Sequence, residues 1–173
     1  MASIIGVETL QHTNGTSAAT IDSSGRILQP AKPAFHARKN ASGTQGFQGV
    51  LVFDEEDFDV GGNYNTSNGR FTAPVAGTYY FCFDALVSTD SSGGALAANE
   101  YAIAEFVKNG ATGTYGMRSY HRTASSTQYN TIHRIDCIQL SVNDYVQVNI
   151  PNEFIYGDDS GRYDPTFQGF LLG

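Results

Sequence analysis

The run Thr78-Tyr79-Tyr80-Phe81-Cys82-Phe83 constrains this chain more than any other stretch. A strand with one wet face alternates apolar and polar residues. This one does not, so both of its faces need cover, one from the domain core and one from something else. Just upstream, Gly62-Asn63-Tyr64-Asn65 reads as a strand and Arg70-Phe71-Thr72 as a short returning one. Asn68-Gly69 between them supplies the positive φ angles of a tight hairpin. Pro74 lacks a backbone donor and Gly77 frees φ, so the four-residue corner they bound is expected outside any sheet ladder.

Aromatic residues divide the chain. All 21 Phe and Tyr lie between Phe35 and Phe170. Residues 1–32 thus lack the bulky side chains of an independent core and read as an arm and linker, with 33–173 as the folded head. Pro30 and Pro33 stiffen the boundary. Nineteen Gly and no Trp, with no segment of helical periodicity, favour an all-β body.

The net charge of −7 belongs to the head, where 15 Asp and Glu face 8 Lys and Arg, while the arm holds two of each sign. Phosphate binding needs clustered cations, so nucleic acid is not expected as a partner. No segment approaches the roughly 20 apolar residues of a membrane span. Met1 to Glu8 shows neither a basic leader nor an apolar run, so no secretory signal is expected. Cys82 and Cys137 both fall in apolar strands. A disulfide would need those strands to be neighbours; without an export signal, two buried thiols are the preferred expectation.

In the arm, Ile5 and Val7 alternate with Gly6 and Glu8. Ala19 to Asp22 and Arg26 to Leu28 flank Ser23-Ser24-Gly25, a three-residue hairpin loop with Gly at the left-handed position. In the head, Ala34–Arg38, Phe47–Phe53, Thr78–Val87, Tyr101–Lys108, Gly116–Tyr120, Tyr129–Leu140, Tyr145–Ile150 and Thr166–Leu172 read as strands. Asn109-Gly110 and Asn143-Asp144 mark turns, Pro151 is expected to end its strand, and the acidic run Asp54 to Asp59 reads as a solvated loop. Val146, Val148 and Ile150 point inward and Gln147 and Asn149 outward. Many short strands with frequent turns make a jelly-roll β-sandwich the default fold.

The head resembles the C1q domain of the C1q/TNF superfamily. The residues that carry the likeness are Pro33-Ala34-Phe35-His36-Ala37, Gly69-Arg70-Phe71, Pro74 and Gly77 with Tyr79-Tyr80-Phe81, Val107 to Gly110, and Phe167 to Leu172. The resemblance implies a ten-strand jelly roll that assembles as a homotrimer. Sister subunits would then cover the second face of the central strand, with Tyr79, Tyr80, Phe81, Phe83, Phe170 and Leu172 as trimer-core candidates. A collagen-like stalk, usual in animal relatives, is absent from the sequence. Thr9 to Arg26 is instead similar to N-termini of tailed-bacteriophage structural proteins. That likeness implies a virion protein whose arm docks on other virion proteins and whose head, on a tail or head fibre, binds a host surface. A capsid decoration protein and a secreted C1q/TNF-like ligand or lectin are the alternatives.

No enzyme is expected, since there is no nucleophile elbow, P-loop or recognisable carboxylate pair. The four His are dispersed, without zinc spacing. The family likeness makes calcium at loop carboxylates, Asp158 and Asp159 with Asp164 nearby, the remaining metal hypothesis; no cofactor is expected. Tyr115, Tyr120, Tyr156 and Tyr163 lie in or near loops and are the candidates for stacking on a host glycan or binding a surface protein, against ordinary rim packing.

Overall fold

A computed structural model describes residues 5–40, 45–88, 101–112, 118–122, 130–157 and 164–173. Asn and Gly residues set where the head reverses. Gly69 has φ +69°, Asn109 and Gly110 have +51° and +78°, and Asn143 has +69°, all left-handed values that these residues tolerate. The Asp144 carboxylate accepts from Ser141 N at 2.8 Å, Lys108 Nζ at 2.8 Å and Asn109 Nδ2 at 2.7 Å, tying two turns together. Those contacts, the Lys108 ammonium first, hold its pKa down to about 2.

The arm forms a three-stranded meander of β1 (Thr9–Gln11), β2 (Ser17–Ile21) and β3 (Ile27–Leu28). The hairpin read at Ser23 to Gly25 is present. Gly25 has φ +78°, and the Asp22 carboxylate accepts from Ser24 N at 2.9 Å and Arg26 N at 3.0 Å.

The head contains, among the described residues, β4 (Ala34–Arg38), β5 (Gln45–Val50), β6 (Glu55–Val60), β7 (Tyr64–Asn65), β8 (Arg70–Thr72), β9 (Gly77–Ser88), β10 (Tyr101–Lys108), β11 (Arg118–Arg122), β12 (Thr131–Leu140), β13 (Tyr145–Gly157) and β14 (Thr166–Leu171). One antiparallel layer runs β12-β9-β14-β4-β6. The other is built on β13, which takes β10, β5 and β8, with β11 and β7 outside them. The end of β13 (Phe154–Tyr156) pairs with Leu86–Ser88 of β9, so that strand belongs to both layers. This is the expected jelly-roll sandwich.

Aromatic rings fill the space between the layers. Phe35 of β4 stacks on Phe71 of β8 at 4.9 Å and on Tyr64 of β7 at 5.0 Å, while Phe81 of β9 meets Phe106 of β10 at 6.0 Å. Each such ring contributes about 1.5–3 kcal/mol by leaving water. Tyr64 keeps its hydroxyl satisfied by donating to Phe53 O at 3.1 Å.

Several expectations need correction. The acidic run is not a solvated loop: Glu55–Val60 is strand β6, paired with β4, where Arg38 stands opposite Glu55 and His36 opposite Phe58 with its ring against the Asp57 carboxylate. Pro151 does not end β13; the β5–β13 register shifts between Ile150 and Ile155, a break in the ladder where no amide donor is required. Gly77 sits inside the ladder, opposite Leu140. Close packing is what demands glycine there, since a Cβ would lie 2.7 Å from Leu171 Cδ1. Gln147 and Asn149 point outward but are buried, with Gln147 Nε2 donating to Asn68 O and Asn149 Nδ2 to Glu105 Oε1, both at 2.7 Å. Cys82 is buried as expected; Cys137 is exposed, and both thiols are free.

Candidate functional site

The central strand alternates after all. Tyr79, Phe81, Phe83, Ala85 and Val87 point into the sandwich and are buried, which places Tyr79, Phe81 and Phe83 in the subunit's own core. With no exposed surface, none of the three can touch another subunit. The residues between them, Tyr80, Cys82 and Asp84, point to the opposite face, and the strand's second apolar surface is built on them.

Register lays that face out in rows, because directly paired residues share a side. Ala34, Phe170, Tyr80 and Cys137 form the first row across β4, β14, β9 and β12. Phe58, His36, Gln168, Cys82 and Ile135 form the second, starting from β6. Arg38, Thr166, Asp84 and His133 form the third, with Glu55 outside Arg38. The face thus grades from apolar to charged along the strand direction.

Its apolar part is open. Phe58 and Ile135 are each 51% exposed, at opposite edges of the layer, and Phe170 and Leu172 are also exposed. The Tyr80 and Phe170 rings lie 5.0 Å apart at 30°. Beside them Phe58, Tyr80, Gln168 and Phe170 border a cleft of about 150 Å³. Gly169 faces inward between Phe35 and Phe81, where a Cβ would sit 2.6 Å from Phe81 Cδ1, so glycine is what lets the core rings pass behind this face. The Cys82 thiol donates to Asp84 Oδ2 at 3.2 Å; burial first, then that carboxylate, pushes its pKa up to about 11.

The charged part is paired. His36 Nδ1 lies 2.6 Å from Asp57 Oδ2, and Arg38 meets Glu55, Asp57 at 3.4 Å and Asp164 at 3.2 Å. Asp164 thus offers its Oδ2 to an arginine. Asp158 and Asp159 lie outside the described residues, as do Tyr115 and Tyr163. Among the described residues no group of three or more His, Cys, Asp or Glu is placed to hold a metal ion. Of the two remaining tyrosine candidates, Tyr120 stands opposite Ile103 on β11, while Tyr156 is half-buried on β13 opposite Leu86 and Gly46. Sequence alone does not single out Phe58 or Ile135 as site residues: Phe58 lies in an acidic run that reads as a loop, and Ile135 faces outward only through the register of its strand.

A jelly-roll sandwich with one unsealed apolar sheet face defines the class. The C1q domain family model matches residues 34–172, so this chain belongs to the C1q domain family. It is 29% identical over 122 residues to complement C1q tumor necrosis factor-related protein 3 of Mus musculus, covering 70% of this chain and 44% of that protein. It is 30% identical over 149 residues to Caprin-2 of Danio rerio, covering 84% of this chain and 14% of that protein. The chain thus spans less than half the length of these relatives. Among solved structures, the globular domain of zebrafish complement 1qA aligns with TM-score 0.60 at 17% identity, over 82% of this chain and 98% of that one. The TNF Eiger from S. frugiperda aligns with TM-score 0.59 at 10% identity, over 82% and 94%. The family match begins after the arm, and the phage likeness expected for residues 9–26 gains no support from these relatives.

Proposed function

We propose that this chain is a non-enzymatic, homotrimeric binding head, acting as a C1q/TNF-like ligand for a cell-surface protein or glycan. The observation that carries it is the open apolar stripe from Phe58 through Phe170 and Tyr80 to Ile135. A stripe that reaches both edges of one sheet is sealed by cyclic closure, in which one edge of each copy meets the other edge of the next. Seam contacts are then Tyr80, Phe58, Ile135, Phe170 and Leu172. Three identical heads give three identical outer surfaces, so weak contacts to a clustered partner add up through effective concentration. Membership of the C1q domain family and the relatives' names support a ligand-like role.

The test is binding of labelled full chain to cells and to glycan and receptor arrays. Saturable binding that falls at least about tenfold when Phe170→Asp separates the subunits supports the reading. Equal binding by separated subunits contradicts it. Display on a virion, as a host-binding fibre head or a shell-stabilising decoration protein, is a second reading that rests on the likeness of residues 9–26. Mass spectrometry of purified virions tests it.

A further inference from the structure

The arm has strands but no core. All six large apolar side chains between residues 5 and 28 are exposed, from Ile21 at 39% to Ile5 at 86%. Strands this short that leave their large apolar side chains in water gain little stability from burial. Here the pairing is nonetheless well specified, by the Asp22 loop described above and by the register Leu10–Ala19 and Ile21–Ile27. That register puts Leu10, Ala19, Ile21 and Ile27 on one face. Ala18, the unpaired residue at the bulge in the β1–β2 register, borders a groove shared with Lys32, Val75, Leu171 and Leu172 of the arm–head junction. The meander thus meets its own head at this groove, while the Leu10, Ile21 and Ile27 side chains have no cover among the described residues.

We propose that the Leu10–Ile21–Ile27 face packs against the same face of two further copies, so that three arms close into a stem continuous with the head trimer; this rests on the homotrimer proposed above. Three observations select a second copy as the occupant. First, the arm is neutral: Glu8 and Asp22 balance Arg26 and Lys32, whereas the head carries all of the −7. Arms can meet without the like-charge repulsion that a head surface would bring. Second, the arm is pinned to the edge of the seam face. Lys32 Nζ donates to Leu172 O at 3.1 Å and Leu171 N to Pro33 O at 3.0 Å. Third, the linker enters β4 at Ala34, which sits in the same row as Phe170 and Tyr80. Closing the heads therefore brings three arms together at high effective concentration, and the apolar face needs no foreign partner.

Hydrogen exchange of the purified full chain, read by mass spectrometry alongside its solution mass, tests this. The β2 amides are expected to be protected at least about 100-fold in the trimer. A Leu10→Asn/Ile27→Asn variant is expected to lose that protection while remaining trimeric with unchanged exchange in β9. A trimer whose wild-type β2 amides exchange freely, or equally in wild type and variant, overturns the stem and leaves the head trimer standing. Protection that appears only on adding a different protein overturns it in favour of a foreign partner. A monomeric wild type overturns the trimer reading itself.

Discussion

Tyr80 and Phe170 stand directly opposite each other on β9 and β14, rings 5.0 Å apart, on the side of the sheet away from the sandwich core. The chain neighbours of Tyr80, Tyr79 and Phe81, are buried on the inner side. One strand therefore serves two apolar surfaces, one inside the subunit and one outside it. That separation gives the two classes of aromatic residue different mutational signatures.

The inner class is a folding requirement. Phe35 touches Tyr64, Phe71, Phe81 and Phe167 across both layers and is 1% exposed. Phe35→Ala is expected to cost about 3–5 kcal/mol, the range for deleting a buried aromatic. Urea denaturation measures it; a loss below about 1 kcal/mol would mean that Phe35 is not the hinge of the core packing.

Backbone geometry carries its own cost at Gly69. Its φ is +69°, and an added Cβ would lie 2.2 Å from the Leu51 carbonyl oxygen, a backbone atom with little freedom to retreat. Gly69→Ala is expected to destabilise the head by more than the roughly 1–3 kcal/mol of left-handed strain alone. A melting temperature equal to wild type would refute the geometry of this hairpin.

The Asp144 carboxylate gives a pH signature. Its pKa is lowered to about 2 in the folded chain, through the Lys108 ammonium first and then Asn109 and Ser141, against about 3.9 when unfolded. A depressed folded value stabilises above the unfolded pKa, and the contribution fades as pH falls from about 4 toward 2. Asp144→Ala should therefore be less stable than wild type at pH 6, with the gap in urea midpoint closing by pH 2. A gap independent of pH would show that the carboxylate's charge is not what matters there.

Thiol reactivity separates the two cysteines. With its pKa raised to about 11 by burial and the Asp84 carboxylate, Cys82 should alkylate at pH 8 roughly 100-fold more slowly than a free cysteine peptide. Iodoacetamide labelling followed by peptide mass spectrometry reads this out. Labelling of Cys82 at the rate of the free peptide would contradict its placement.

Turn positions were legible in the sequence because Gly69, Asn109, Gly110 and Asn143 take left-handed conformations that these residue types tolerate, although Asn68 does not share the positive φ expected of it. So was the arm hairpin, where Asp22 and Gly25 act locally. Which aromatic residue faces which way was not legible, since Tyr79 to Phe83 contains no polar residue to mark the phase, and phase is set by partners such as Ile138 and Cys137 far along the chain. The same reason hid Phe58: nothing within Asp54 to Asp59 announces a strand, and the side chains that pair with it, His36 and Arg38, lie about 20 residues earlier. Pro151 misled because its effect depends on whether a partner strand asks for its missing amide. Local signals were readable; pairing was not.

The homotrimer is tested most directly by light scattering on size-fractionated protein at low micromolar concentration. Wild type should scatter at three times the 18.6 kDa chain mass, and Phe170→Asp at a single chain mass with unchanged circular dichroism. A wild-type mass of 18.6 kDa would contradict the seam, and with it the multivalent head.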